Sequence, residues 1–233
     1  MSTQELSVVE LQTRWDKIRV ANVYDTLDKM GYPNQCLDLG IRPLFPHQHL
    51  AGQVITVRGS AYPVPRGEEG SGWTGNYFEQ LRQILYPGCV VVVESGGEKH
   101  AGKFGEMTSW ALKQGGAHGI VLDSYIRDWL GLEVIPDYTV CARGTSPIES
   151  SQRWRMDGIN ITIGMPGTLT SRVRLEPGDW IIGEADGVIV VPKAIAMETL
   201  VKAEELEANE QGMREDVAKG MSFDDAYKKW GRA

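Results

Sequence analysis

The feature that most constrains this fold is one strand-helix-strand run in the middle of the chain. It comprises the strand CVVVVES from Cys89, the helix-period stretch FGEMTSWALKQGG from Phe104, and the apolar strand GIVLDSYI ending at Ile126. Successive side chains of a strand point to opposite faces, so five apolar residues in a row leave no face for water. Such strands sit inside a sheet covered on both sides, and a helix between two of them carries the chain back to start the next in parallel. The class is therefore α/β with a partly parallel, buried sheet.

The flanking segments read as additions to that unit. Residues 8 to 31 form two short helices ending at Gly31, a helical N-terminal extension over 1–31. Residues 32–50, with three prolines, read as a loop, 53–64 as the first strand, 66–75 as a surface loop, and 76–86 as a helix ending at Pro87-Gly88. After a short turn at 127–131 the chain turns to strands at 138–144, 159–164 and 171–175. A hairpin follows over 177–192, with Ala185-Asp186-Gly187 at its tip. A C-terminal helical tail over 193–233 holds an acidic amphipathic helix at 193–219 and a capped helix, SFDDAYKKW, from Ser222. No repeat or linker divides the chain, so 1–233 reads as a single domain.

Charge and cysteine content exclude several functions. With 24 Lys and Arg against 31 Asp and Glu, the net charge of −7 argues against general binding to nucleic acid or an anionic membrane. Cys36, Cys89 and Cys141 are scattered and odd in number, which indicates neither a disulfide framework nor a zinc ribbon. The N-terminal residues lack a basic segment followed by an apolar run, and no apolar stretch exceeds strand length, so a cytoplasmic location is expected.

The chemistry concentrates at Gly105-Glu106-Met107-Thr108-Ser109 and at Arg127-Asp128, twenty-one residues beyond Glu106. A glycine before a helix leaves the first backbone N–H groups, here those of Met107 and Thr108, able to hold a carboxylate. Arg127 offers a planar fork of donors and Asp128 hard oxygen ligands, at the strand end where α/β structures place ligands. The same residues also fit a surface ion pair and an ordinary helix cap.

The combination AGKFGEMTSWALKQGGAHGIVLDSYIRD, then PGDWIIGEADGVIVVP, then an acidic C-terminal helix, resembles the RraA-like family from about residue 15 to residue 210. That family comprises the regulator of ribonuclease activity A and class II 4-hydroxy-4-methyl-2-oxoglutarate aldolases, often mislabelled as demethylmenaquinone methyltransferases. The resemblance implies a β/β/α swivelling-domain-like fold, a homotrimer or hexamer, and an active site between subunits. It makes Asp128 a direct ligand of Mg²⁺ or Mn²⁺, Glu106 a ligand through water, and Arg127 a clamp on the pyruvoyl group beside Gly105, Met107 and Thr108. By relative position the neighbouring subunit would add Glu204, or second Glu207, residues that equally fit the solvated face of an acidic helix. The chain departs from the pattern at Gly131, where an acidic residue is usual, at Ser124 in place of glycine, and at Glu106 in place of aspartate.

The expected function is thus a metal-dependent lyase that cleaves a small 4-hydroxy-2-oxo acid to pyruvate, with oxaloacetate decarboxylation as a side reaction. The alternative is a non-catalytic, protein-binding regulator of ribonuclease. Other candidates rank lower. His47 and His49 lack a third metal ligand, and Lys99, Lys103 and Lys113 read as turn or polar-face lysines, which disfavours a Schiff base. Trp73 and Tyr77 can line a pocket, and Asp186 belongs to a hairpin.

Overall fold

In a computed structural model that describes residues 6–61, 76–151 and 153–231, two helices lead into a mixed sheet. Helix α1 (Val8–Trp15) is capped by Ser7, which exchanges hydrogen bonds with Glu10, and α2 (Val20–Lys29) follows. Gly31, at φ +87°, ends α2 as expected and lets Tyr32 N–H return to Leu27 O at 2.8 Å. Next come β1 (Arg42–Pro43), β2 (Leu50–Ala61), α3 (Tyr77–Gln83), β3 (Cys89–Glu94), α4 (Glu106–Gln114), β4 (Ala117–Leu122) and β5 (Tyr125–Ile126). They are followed by α5 (Trp129–Glu133), β6 (Thr139–Ala142), β7 (Gly144–Thr145), β8 (Trp154–Ile159), β9 (Ile163–Pro166) and β10 (Arg172–Leu175). The hairpin of β11 (Trp180–Glu184) and β12 (Gly187–Val191) leads through a tight turn at Lys193–Ile195 to α6 (Ala196–Ala218) and α7 (Phe223–Trp230).

Among the described residues the main sheet runs β1-β6-β4-β3-β2-β11-β12, with β8 paired to the second half of β2. Strands β2, β3, β4 and β6 are mutually parallel, and the others join antiparallel. The apolar run of β3 is buried on both faces, as its pattern requires. Cys89, Val91 and Val93 pack with Leu81 of α3 and Leu112 of α4, while Val90 and Val92 pack with Met165 and Val173 of the β9–β10 hairpin. A third core joins α1, α2 and α6 to the outer hairpin through Trp15, Leu27, Trp180, Ile182 and Leu200.

Four local expectations are corrected. The strand expected over 119–126 breaks after Leu122. There Asp123 Oδ1 accepts Ser95 N–H at 2.8 Å, and Arg143 bonds the carbonyls of Asp123 and Ser124 at 3.0 and 2.9 Å. The chain resumes as β5, which pairs with β7 instead of the main sheet and carries residues 127 and 128 to its end. The expected turn at 127–131 is the start of helix α5. The strand expected over 159–164 is displaced: Asn160 takes φ +53°, so the segment divides into the end of β8 and the start of β9. The loop at 32–50 also contains the short strand β1. The expected loop at 66–75, with Trp73, lies outside the described residues.

Candidate active site where two helices begin

Helices α4 and α5 start side by side, and the residues singled out in the sequence sit at the junction. Gly105 caps α4, and Asp128 caps α5 in a left-handed conformation, φ +66° and ψ +47°. Asp128 Oδ2 accepts the Glu106 N–H at 3.2 Å and lies 3.4 Å from Arg127 Nε. Two glycines permit this approach. A Cβ on Gly105 would overlap Asp128 Oδ2 and stand 2.9 Å from Arg127 Cγ, and one on Gly102 would stand 2.8 Å from Arg127 Cβ. Backbone bonds lock the segments together, Arg127 N–H to Phe104 O and Lys103 N–H to Tyr125 O, both at 3.0 Å.

The first intrahelical bond of α4 runs from Ser109 N–H to Gly105 O at 2.9 Å, so the N–H groups of Met107 and Thr108 precede it. The Thr108 hydroxyl is committed to the cap: it accepts Gly105 N–H at 2.8 Å and donates to Gly105 O at 2.9 Å. A role for Thr108 toward an anion therefore belongs to its backbone.

The exposed ion pair does not by itself offset the backbone cost. The Arg127 and Asp128 side chains are 38% and 44% exposed, and an ion pair that open contributes about 0–1 kcal/mol. Holding a non-glycine residue left-handed costs about 1–2 kcal/mol, which is as much or more. The hard oxygen ligands that the junction offers are the carboxylates of Asp128 and Glu106, with no histidine or cysteine in the two segments. Among the described residues no group of three or more His, Cys, Asp or Glu is arranged to hold a metal. Such a sparse, hard oxygen set fits Mg²⁺ or Mn²⁺, which keep several waters, and does not fit a structural zinc site.

The RraA-like (Aldolase/RraA) family model matches residues 20–190. The chain belongs to the RraA-like family. A protein of Halalkalibacterium halodurans named "Putative 4-hydroxy-4-methyl-2-oxoglutarate aldolase" is 27% identical over 97% of this chain and 96% of its own length. A protein of Hahella chejuensis with the same name is 34% identical over 50% of this chain and 68% of its own. The fold is shared with RraAS2 of Streptomyces coelicolor, an unusual member of the RNase ES inhibitor RraA protein family. That structure matches with a TM-score of 0.73 and 24% identity over 88% of this chain and 96% of that one.

Other residues of this RraA-like chain fall outside the junction. Glu204 receives two bonds from Arg14 of its own chain, at 2.7 and 2.6 Å, and Glu207 accepts Asn22 Nδ2 at 2.8 Å and Arg214 at 2.6 Å. The acidic helix α6 thus has cationic and amide partners in its own chain, where none was evident from sequence. His47 is exposed, and His49 lies 3.5 Å from Asp16. Tyr77 opens α3, and Ala185 and Asp186 form the two-residue loop of the β11–β12 hairpin. The three cysteines are free, and burial pushes the Cys89 thiol up to about 11. Among the described residues no helix is long and apolar enough to cross a membrane.

Lys103 is a correction and a residue that sequence reasoning undervalued. Its side chain is fully buried, not on a turn surface; it pairs with Glu98 and donates to the carbonyls of Glu98 and Ala101 at 3.1 and 2.9 Å. Burial lowers its pKa, the direction a Schiff-base lysine needs, but three acceptors engage its three protons. The signal available was the acid five positions before a lysine in a glycine-flanked turn.

Proposed function

We propose that the chain is a divalent-metal-dependent carbon–carbon lyase that cleaves a small 4-hydroxy-2-oxo acid and releases pyruvate. The single observation that carries this reading is the left-handed Asp128, whose carboxylate is held against the start of α4 beside Arg127 and Glu106. Asp128 would hold the ion directly and Glu106 through water. When bound, Mg²⁺ or Mn²⁺ supplies Lewis acidity at the keto oxygen, where negative charge gathers as the carbon–carbon bond breaks.

The chain's own residues do the rest. Arg127 grips the substrate carboxylate with its planar fork, and the Met107 and Thr108 N–H groups add donors to the same anion. Gly105 keeps the space between them open. Exposed apolar side chains ring the junction: Met107, Trp129, Leu130 and Val134 are 74%, 41%, 80% and 68% exposed. A patch of that kind supports a site closed by a neighbouring subunit in a homotrimer or hexamer. In such an assembly Glu204 could serve the adjacent site only by releasing Arg14.

The test is pyruvate release from a panel of 4-hydroxy-2-oxo acids, with Mg²⁺ or Mn²⁺, before and after chelation. Activity that disappears on chelation and returns with metal is the expected result. Full activity after exhaustive chelation overturns the metal-dependent mechanism. A folded protein inert on the whole panel favours the second reading, a ribonuclease regulator, which the shared fold with RraAS2 supports.

A further inference from the structure

Gly131 breaks a local rule. It stands inside α5 with a helical backbone, where no turn demands glycine and alanine would hold the helix better. What its missing side chain provides is room. A Cβ built on Gly131 would overlap the Glu106 carboxylate and stand 2.7 Å from Glu106 Cγ. The Glu106 side chain therefore lies across the turn of α5 that Asp128 caps, the turn closed by Gly131 N–H to Asp128 O at 3.0 Å.

We propose that Gly131 is a positioning residue for Glu106: the vacancy on α5 draws the carboxylate of α4 across to the turn that begins at Asp128. This rests on the reading of Asp128 as the ligand of a divalent cation. Any side chain at 131 would turn Glu106 outward. Because Glu106 ends in a flexible chain, the displacement costs the fold little and falls on the site.

The experiment uses the full chain and Mn²⁺ as probe, with free Mn²⁺ read by electron paramagnetic resonance. Gly131→Ala should weaken Mn²⁺ binding by about tenfold or more, as loss of an outer-sphere partner does. Its Tm should match or exceed that of the unsubstituted protein, a combination that a merely structural glycine would not produce. In a Glu106→Ala background the same substitution should change Mn²⁺ binding less than twofold, because the group it displaces is gone. An unchanged Mn²⁺ affinity in Gly131→Ala, or an equal loss in both backgrounds, overturns the proposal. Asp128→Ala tests the underlying reading separately: if it leaves Mn²⁺ binding intact, the metal assignment fails. The positioning claim is then decided without metal by the Glu106 Cδ chemical shift at fixed pH. A shift moved by Gly131→Ala sustains it, and an unmoved one overturns it.

Discussion

Two charged groups lie within the segment 98–106 and its contacts, and the chain treats them in opposite ways. Lys103 and Glu98 are sealed, with side chains 0% and 10% exposed, and every Lys103 proton meets an acceptor. Glu106 lies three residues beyond Lys103, and Arg127 and Asp128 lie across the junction from it. Asp128 is exposed on a left-handed backbone, Glu106 and Arg127 are half-buried beside it, and the contacts among them are longer. A closed group has its charges balanced internally and can only hold the fold. An open group with strain and unspent donors has capacity left for a ligand, so the difference separates scaffold from candidate site.

The largest expected effect breaks the sealed side. Lys103→Met leaves Glu98 buried without its cation, and losing one partner of a buried pair costs about 3–5 kcal/mol. Urea unfolding should show that loss, while pyruvate release per folded molecule stays unchanged. A cost under about 1 kcal/mol would mean that the pair is not the structural member of the comparison. On the open side, Arg127→Lys keeps the charge but loses the fork, so kcat/KM should fall roughly 10²-fold, about 3 kcal/mol, with metal binding retained. Its unfolding free energy should move by less than about 1 kcal/mol. Unchanged turnover would show the open group to be an ordinary surface pair.

A smaller effect is set by pH. Burial pushes the Glu98 carboxyl up, but bonds from Lys103 and from the His100 and Ala101 N–H groups outweigh it and leave it below its ordinary 4.5. A carboxyl lowered by folding contributes stability that is complete above its unfolded value and fades as pH falls through the folded one. The native protein should therefore lose stability below about pH 4.5, and Glu98→Gln should lose less of it over the same range. Equal acid limbs in both proteins would remove Glu98 from the cause.

The sheet was legible where one periodicity dominated. The run 89–93 could be buried only on both faces, and Gly31, Ser222 and the two-residue hairpin loop each carried a local signal that no distant contact overrode. Misreadings came where a distant partner decides. The strand through 123 and 124 breaks because Ser95 and Arg143 take their polar groups, residues 28 and 20 positions away. The proximity of Glu106 and Asp128 was legible as spacing, since the two do meet. The burial of Lys103 was not, because polar sequence neighbours mark a surface turn unless the fold closes over them. Nor could spacing show that Gly131 and Glu106 share one volume.

The smallest effect expected concerns a third charged group, intermediate between the sealed and the open one. Glu204 binds Arg14 through both oxygens, but the side chains are 35% and 30% exposed, so solvent screens the pair and its worth is about 0.2–1 kcal/mol. Glu204→Ala should lower unfolding stability by no more than that. If Glu204 is only a tie between α1 and α6, kcat/KM should not change. If it also supplies a carboxylate to a neighbouring subunit, kcat/KM should fall while stability barely moves. Subunits of Glu204→Ala mixed with Asp128→Ala should then recover activity, because mixed assemblies rebuild some intact sites. Failure to recover after proven subunit exchange would place Glu204 with Lys103 among residues that hold the fold, and leave Glu106, Arg127 and Asp128 as the chain's contribution to the site.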